Sequence, residues 1–127
     1  NTEVSRDLTL TLVKSCNSRG VNGLTLANSR PVTDDRLSVG SGGLSGKPVF
    51  EDMLRLVRDV RSEVGNRITI NACGGIFTGG DAWEAMKSGA NTVQLYTGLI
   101  YNGPGVVRAV NQELIKIMDK EGINSLT

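Results

Sequence analysis

The sequence predicts an α/β fold made of parallel strand–helix units, and three observations lead to this prediction. Glycine-rich segments occur at residues 42–48 (GGLSGKP), 72–75 (ACGG) and 94–98 (QLYTG), and each is followed by a stretch with helical spacing. Short apolar runs precede the second and third segments, as expected of strands. A closed (β/α)₈ barrel typically needs about 250 residues, whereas this chain has 127. We therefore expect a piece of a longer α/β protein rather than a closed barrel.

The first element is ambiguous, because residues 8–12 alternate leucine and threonine, a period-two pattern that on its own predicts a strand. The later elements alternate strand and helix, and a helix over residues 5–18, ending before Gly20, agrees with that order. We therefore predict a helix here. Residues 22–28 (NGLTLAN) then predict a short strand that brings Asn28 to an edge of the sheet.

The middle of the chain predicts a long loop followed by an amphipathic helix. Residues 29–48 are rich in Gly, Ser and Asp, and a connection of this length is more often functional than a plain link. Over residues 49–64 apolar side chains recur at i, i+3 and i+4, with charged residues between them. We predict a helix here with one buried face.

The last part of the chain predicts two further strand–helix units. Residues 68–73 and 91–96 are predicted strands, and residues 78–89 and 105–120 are predicted helices. Asp81 falls in the first turn of the earlier helix, where a negative charge suits the helix dipole. Gly122 is expected to end the later helix, and Trp83 is expected in the core. Parallel units of this kind pack right-handed and keep their loops on one face.

The composition argues against several classes of function. The chain has 14 basic and 13 acidic residues, a formal net charge of +1, and no nucleic-acid partner is implied. No apolar stretch approaches the roughly 20 residues of a membrane span, so the chain itself is expected to be soluble. The chain has no histidine and two cysteines, Cys16 and Cys73, without CxxC spacing. This pattern predicts no metal site and two buried, reduced thiols.

The glycine clusters predict a phosphate-binding site. Backbone N–H groups in glycine turns can hold a phosphate dianion without lysine or arginine, and a Cβ would block the close approach. The ends of successive strands place the turns at 74–75 and 97–98 within reach of one point. A single Gly-Gly pair is usually only a tight turn. The prediction therefore depends on the joint pattern, with the turns at residues 46, 75 and 97 facing one anion.

Three polar side chains near these turns each allow two interpretations. Asn28 is either a turn cap or a ligand contact, and its carboxamide offers a donor and an acceptor to the edge of a pyrimidine ring. Ser45 is either a turn hydroxyl or a ligand contact. Lys47 is expected to be a solvated charge, with long-range attraction for an anion as the alternative.

Taken together, the segments GGLSGKP (42–48), ACGGI (72–76) and VQLYTGLIYNGP (93–104) closely resemble the C-terminal part of dihydroorotate dehydrogenases. The LYT run and the trailing NGP are similar to class 2, the quinone-reducing, membrane-associated branch. The resemblance covers nearly the whole chain and implies the last three βα units and the preceding helix of a (β/α)₈ TIM barrel. It makes residues 1–127 the C-terminal fragment of a single FMN-binding barrel domain. Such enzymes use FMN to oxidise dihydroorotate to orotate in pyrimidine biosynthesis and pass the electrons to a quinone.

The resemblance also implies roles for individual residues. It places the FMN phosphate on the backbones of four residues in the glycine loops, with two neighbours beside them, and the pyrimidine substrate against an Asn-Ser pair. The position before that pair is commonly threonine or serine and contacts the flavin, whereas alanine stands here and one side-chain hydrogen bond is absent. A second threonine is also replaced, since Arg30-Pro31 follows the pair. The four residues whose backbones hold the phosphate are Gly46, Gly75, Tyr96 and Thr97, and the two beside them are Ser45 and Gly74. The Asn-Ser pair is Asn28 and Ser29, and the alanine before it is Ala27.

Other parts of the implied site are expected outside this chain. The catalytic base of class 2, a serine, lies on an earlier loop, so the catalytic residue is unknown here. A flavin-contacting lysine falls just before Asn1, and N-terminal helices build the quinone tunnel. We therefore expect these residues alone to be inactive, with the rest of the barrel or a second copy covering the strand edges. For the intact enzyme, the resemblance implies membrane association at a bacterial or mitochondrial inner membrane.

Two other functions stay open at this point. The glycine loops also suit a non-catalytic phosphate-binding or assembly module, and a lyase or isomerase with a phosphate substrate on the same barrel. The first would bind unrelated phosphates without flavin. The second would leave Asn28 and Ser29 without a purpose.

Overall fold

The structure is a computed structural model, and it describes residues 5–126. The elements in chain order are α1 (Arg6–Ser18), β1 (Gly23–Leu26), β2 (Arg30–Thr33), β3 (Ser41–Leu44), a 3₁₀ turn (Lys47–Val49), α2 (Phe50–Val64), β4 (Thr69–Cys73), α3 (Gly79–Lys87), β5 (Thr92–Gln94), α4 (Thr97–Asn102) and α5 (Val106–Glu121). No helix among the described residues is both long enough and apolar enough to cross a membrane.

Three parallel strands form the main sheet in the order β1-β4-β5. Leu24 pairs with Ile70 on one side of β4, and Val93 pairs with Ala72 on the other side. A helix lies in each connection, with α2 between β1 and β4 and α3 between β4 and β5. The predicted parallel βα units are therefore confirmed.

Helix α1 confirms the prediction of a helix over the leucine–threonine alternation. The Ser5 hydroxyl caps its start by accepting a hydrogen bond from the Leu8 N–H at 3.2 Å. The helix lies against α2, where Arg6 and Asp59 form an ion pair at 2.8 Å. Val13 is buried in the core. Packing of one helical face therefore prevails over the local period-two pattern.

The hydrophobic core lies between α2 and one face of the sheet. Ile70 and Ala72 of β4 are fully buried in it. Every predicted apolar position of α2 is buried, and full burial of such a side chain contributes about 1.5–3 kcal/mol. These positions are Phe50, Met53, Leu54, Val57, Val60 and Val64. The predicted i, i+3, i+4 pattern is confirmed.

Helices α3 and α5 pack closely against each other. Helix α3 begins with a capping box, in which Thr78 Oγ1 accepts from the Asp81 N–H at 3.1 Å and the Asp81 carboxylate accepts from the Thr78 N–H at 3.2 Å. At Gly79 a Cβ would lie 2.4 Å from the Cβ of Glu113 on α5, so the approach requires glycine. Trp83 is buried, as predicted.

Arg61 joins α2 to the segments that lead into β4 and β5. Its guanidinium donates hydrogen bonds to the carbonyl oxygens of Ile68 at 3.2 Å and Gly89 at 2.8 Å. It also donates to the carbonyl oxygen of Gly65 and to Asn91 Oδ1. A planar fork of five N–H donors suits several acceptors at once, which an ammonium group does not match.

Several features differ from the predictions. The predicted loop at 29–48 contains an antiparallel hairpin of β2 and β3, in which Val32 pairs with Gly42. Helix α4 follows β5 where the sequence predicts no helix. The parallel strands are shorter than predicted, and Cys16 and Cys73 are free thiols that are half-buried rather than buried. Gly122 ends α5 in the left-handed conformation, as predicted.

Candidate functional site

The carboxyl ends of β1, β4 and β5 meet around one cavity of about 340 Å³. Residues 27–29 follow β1, residues 74–76 follow β4 and residues 95–98 follow β5 at its wall. Gly43 in the hairpin, Ser45 and Gly46 after it, and Val49 at the end of the 3₁₀ turn form another side. This edge of a parallel sheet is where ligands bind in α/β folds.

All residues that the sequence analysis assigns to cofactor or substrate line this cavity. They are Ala27, Asn28, Ser29, Ser45, Gly46, Gly74, Gly75, Tyr96 and Thr97. The fold thus brings together side chains and turns that are up to 70 positions apart in the chain, as Ala27 and Thr97 are. The role of each residue stays a prediction.

The glycine loops contact one another across the cavity wall. A Cβ at Gly75 would lie 2.9 Å from the carbonyl oxygen of Gly46, and a Cβ at Gly46 would lie 2.9 Å from Cγ2 of Thr97. The hydroxyl of Thr97 donates to the hydroxyl of Ser45 at 3.4 Å. Gly46 and Gly75 also have positive φ angles of 79° and 71°. Side chains at these two positions would push the loops apart.

Several backbone N–H groups in these loops have no acceptor in the part of the chain that the structure describes. No atom of residues 5–126 accepts a hydrogen bond from the N–H groups of Gly46, Gly74, Gly75, Ile76, Tyr96, Thr97 and Gly98. All seven residues line the cavity. Buried backbone donors in folded proteins are normally paired, and Gly46, Gly75, Ile76 and Gly98 are buried, so their N–H groups are available to an external acceptor. Converging N–H groups of glycine-rich turns are a known way to hold a phosphate.

Charged side chains are absent from the described part of the cavity wall. Lys47 is 57% exposed but forms an ion pair with Asp81 and lies 4.4 Å from the centroid of the Phe50 ring. Lys47 is therefore exposed, as expected of a solvated charge, and its ion pair with Asp81 is a contact that the sequence does not predict. Burial raises the pKa of the Asp81 carboxyl, but hydrogen bonds from Lys47, Phe77 and Thr78 outweigh burial and hold that pKa below its ordinary value.

Asn28 and Ser29 are held by local contacts at the end of β1. Asn28 Oδ1 accepts a hydrogen bond from the Ser29 N–H at 2.8 Å. Ser29 lies against the hairpin, since a Cβ at Gly43 would approach Ser29 Oγ to 2.5 Å. Arg30 anchors the hairpin to α2 through Asp52 at 3.2 Å. The Asn28 oxygen thus accepts one hydrogen bond within the chain, and the NH₂ group of this carboxamide has no acceptor among the described residues.

Sequence reasoning misses two lining residues that carry polar chemistry, Gln94 and Cys73. Gln94 ends β5 and Cys73 ends β4, and burial raises the pKa of the Cys73 thiol, which favours the protonated form. Both residues could have been predicted from the alternation of side chains along a strand, because Cys73 lies on the same face as Asn71 and Gln94 on the same face as Thr92. Within the described residues, no group of three or more His, Cys, Asp or Glu side chains is placed to hold a metal ion.

Comparison with protein families and curated proteins gives a consistent result. The family model described as dihydroorotate dehydrogenase matches residues 2–118 of the chain. The dihydroorotate dehydrogenase (quinone) of Trichodesmium erythraeum is 38% identical over 97 residues, which cover 76% of this chain and 26% of that protein. The protein of the same name from Coxiella burnetii is 41% identical over 111 residues, covering 87% and 29%.

A plant relative extends the comparison to eukaryotes. The mitochondrial dihydroorotate dehydrogenase (quinone) of Arabidopsis thaliana is 36% identical over 111 residues, covering 84% of this chain and 24% of that protein. The chain therefore spans about a quarter to a third of the length of the curated relatives it matches.

Solved structures show the same similarity. The crystal structure of ligand-free DHODH from Eimeria tenella superposes with a TM-score of 0.89 at 30% identity, covering 99% of this chain and 36% of that chain. The complex of DHODH with ferulenol from the same organism gives a TM-score of 0.88 at 30% identity. The similarity supports the predicted fold class, a C-terminal part of a TIM barrel.

Proposed function

Because the chain belongs to the dihydroorotate dehydrogenase family, we propose that the protein containing it oxidises dihydroorotate to orotate in pyrimidine biosynthesis, with FMN as cofactor and a quinone as electron acceptor. When bound, FMN supplies the two-electron redox chemistry. The described residues contribute the phosphate-binding loops and part of the substrate wall. The observation that carries the proposal is the set of acceptor-free N–H groups around one cavity.

The phosphate of FMN fits the glycine loops for a chemical reason. A dianion needs several donors in a small volume, and the three loops approach closely enough to provide them from the backbone. In this proposal the backbones of Gly46, Gly75, Tyr96 and Thr97 hold the phosphate, with Ser45 and Gly74 beside them. Ala27 lines the same cavity and would face the flavin without adding a side-chain hydrogen bond.

The substrate side of the cavity is assigned to Asn28 and Ser29. Asn28 presents its NH₂ group, because Oδ1 is held by the Ser29 N–H, and an NH₂ group suits the carbonyl oxygens of a pyrimidine ring. The Ser29 hydroxyl lies between β1 and the hairpin, where it orients this pair. In this proposal both residues bind and orient the substrate, and the proton is removed by the base that the resemblance implies on an earlier loop.

The remaining features of the proposal come from the relatives. Their names specify a quinone, and one is mitochondrial. We propose the same acceptor and a membrane-associated whole protein, in which further polypeptide covers the free edges of β1 and β5. The catalytic base and the quinone contacts would lie on that further polypeptide.

Titration of the chain with FMN and with riboflavin tests the phosphate assignment. Riboflavin has the same ring system but lacks the phosphate, so we expect the chain to bind FMN at least tenfold more tightly, measured by flavin fluorescence. Ser45→Asp places a negative charge at the phosphate loops, and we expect it to weaken FMN binding about tenfold or more. Riboflavin binding should not change.

Ser38→Asp is the matched control, because Ser38 is exposed and does not line the cavity. We expect this variant to bind FMN like the native chain. Equal affinity for FMN and riboflavin in the native chain would contradict the assignment of the glycine loops to phosphate. Binding of unrelated phosphates in preference to FMN would favour a non-catalytic phosphate-binding module.

A further inference from the structure

A row of polar side chains crosses the sheet on the face opposite the core. Residues in a strand alternate between faces, and Ile70 and Ala72 of β4 point into the core. Asn71 therefore lies on the other face, where Thr25 of β1 and Gln94 of β5 are its neighbours. The row ends at the cavity, because Gln94 lines it while Asn71 does not.

Hydrogen bonds within this row fix the orientation of Gln94. The Asn71 NH₂ group donates to Gln94 Oε1 at 2.9 Å and to Thr25 Oγ1 at 3.3 Å. The Thr92 hydroxyl donates to Asn71 Oδ1 at 2.9 Å. Asn71 thus uses its oxygen and its NH₂ group within the row. Gln94 uses its oxygen only, and its NH₂ group has no acceptor among residues 5–126.

The cavity consequently presents donors from two carboxamides. Asn28 Oδ1 is held by the Ser29 N–H, and Gln94 Oε1 is held by Asn71, so each leaves an NH₂ group. These two NH₂ groups lie beside the backbone N–H groups that have no acceptor among residues 5–126. A ligand that satisfies these donors has to carry acceptors along its edge as well as at its phosphate.

We propose that Gln94 is a specificity-determining residue that donates a hydrogen bond from its NH₂ group to a ring carbonyl of the bound ligand, and that Asn71 is its positioning residue. The inference rests on the proposed function for the class of ligand, since a flavin and orotate both carry carbonyls on a pyrimidine-type ring. A purely structural role for the row would need only the Gln94 oxygen, which accepts from Asn71. The two roles therefore differ in whether the Gln94 nitrogen matters.

Gln94→Glu separates the two roles, because a carboxylate still accepts from Asn71 but no longer donates to a ligand. Gln94 is exposed and outside the core, so the variant is expected to fold. We expect it to bind FMN and orotate about tenfold to a hundredfold more weakly than the native chain, since a donor is replaced by a repelled charge. Gln94→Met removes the donor without adding a charge, and we expect about a tenfold loss.

The side-chain NH₂ signals of Gln94 provide a second measurement that is independent of affinity. These signals are assigned in a ¹H–¹⁵N spectrum by their loss in Gln94→Glu. We expect one of them to shift when FMN or orotate is added, and neither to shift with inorganic phosphate, which has no ring. Comparison of the shifts caused by FMN with those caused by orotate shows whether the carbonyl that accepts from Gln94 belongs to the flavin or to the pyrimidine.

The outcomes distinguish this inference from the proposed function. Native-like binding of both ligands by Gln94→Glu, with unshifted NH₂ signals in the native chain, would overturn the role of Gln94 and leave the flavin proposal in place. Failure of the native chain to bind FMN, with orotate binding that still depends on Gln94, would overturn the flavin proposal alone. Failure of the native chain to bind either ligand would overturn both. Asn71→Leu is expected to weaken binding in the same direction as Gln94→Met, and unchanged binding would refute its positioning role.

Discussion

Replacing Gly75 by alanine tests whether the cavity depends on the close approach of the glycine loops. Gly75 has a φ of +71°, and a Cβ there would lie 2.7 Å from Phe50 Cβ, 2.9 Å from the Gly46 carbonyl oxygen and 3.0 Å from Phe50 Cα. These are backbone or Cβ atoms, so a change of side-chain rotamer cannot move them away. The loop after β4 therefore has to separate from the loop that contains Gly46.

The expected loss of stability in Gly75→Ala has two parts. A left-handed conformation costs a residue with a Cβ about 1–2 kcal/mol, and overpacking against atoms that cannot yield costs about 1–3 kcal/mol more. The sum predicts a loss of about 2–5 kcal/mol in the free energy of unfolding. Gly122→Ala is a matched control, since Gly122 is left-handed with a φ of +69° but nothing lies within 4 Å of a Cβ built there. For this variant only the first part applies, about 1–2 kcal/mol.

Urea denaturation followed by circular dichroism measures both variants, and FMN titration of the folded variants measures the cavity. We expect Gly75→Ala to be clearly less stable than Gly122→Ala and to bind FMN at least tenfold more weakly than the native chain. Gly122→Ala should keep native affinity, because Gly122 does not line the cavity. Equal unfolding free energies for the two variants would refute the argument from loop contact.

Two further predictions concern charged side chains. Hydrogen bonds hold the pKa of Asp81 below its ordinary value in the folded chain. The ionised carboxylate therefore stabilises the fold above the unfolded pKa of about 3.9, and this stabilisation is lost as the pH falls through the lower pKa of the folded chain. We expect Asp81→Asn to be less stable than the native chain near neutral pH and to lose less stability on acidification; parallel pH profiles of urea unfolding would contradict this. Arg61→Lys should lose about 1–3 kcal/mol, because an ammonium group cannot replace the hydrogen bonds to Ile68 and Gly89. Arg58→Lys is the control, because Arg58 makes a single exposed hydrogen bond, to Ser88, and its stability should change by less than about 0.5 kcal/mol. Similar losses of stability in both arginine variants would argue against the Arg61 network.

Local periodicity explains why much of the fold could be predicted. The apolar positions of α2 repeat at helical spacing and are all buried, because a helix that packs on a sheet needs one apolar stripe. Glycines at 74–75 and 122 mark turns whose positive φ angles only glycine adopts easily. The order of strands and helices follows from these signals, since parallel strands require crossovers.

Other elements depend on tertiary contacts that no local pattern encodes. The hairpin strands RPVT and SGGL contain proline and glycines, which disfavour strands, so the sequence predicts a loop. The hairpin is held by the Arg30–Asp52 ion pair and by the contact between Ser29 and Gly43. Helix α4 is short and begins with Thr-Gly, so its sequence resembles the turn that precedes it.

The chemistry of the site shows a deeper limit of sequence reasoning. Residue types give the number of donors and acceptors, but binding depends on which of them the protein itself already uses. Lys47 is a free cation in the sequence and is paired with Asp81 in the structure. Asn28 offers both a donor and an acceptor in the sequence, whereas in the fold its oxygen already accepts one hydrogen bond, from the Ser29 N–H. The donors that we propose for ligand binding therefore depend on which groups the fold leaves without a partner and not on the identity of the residues alone.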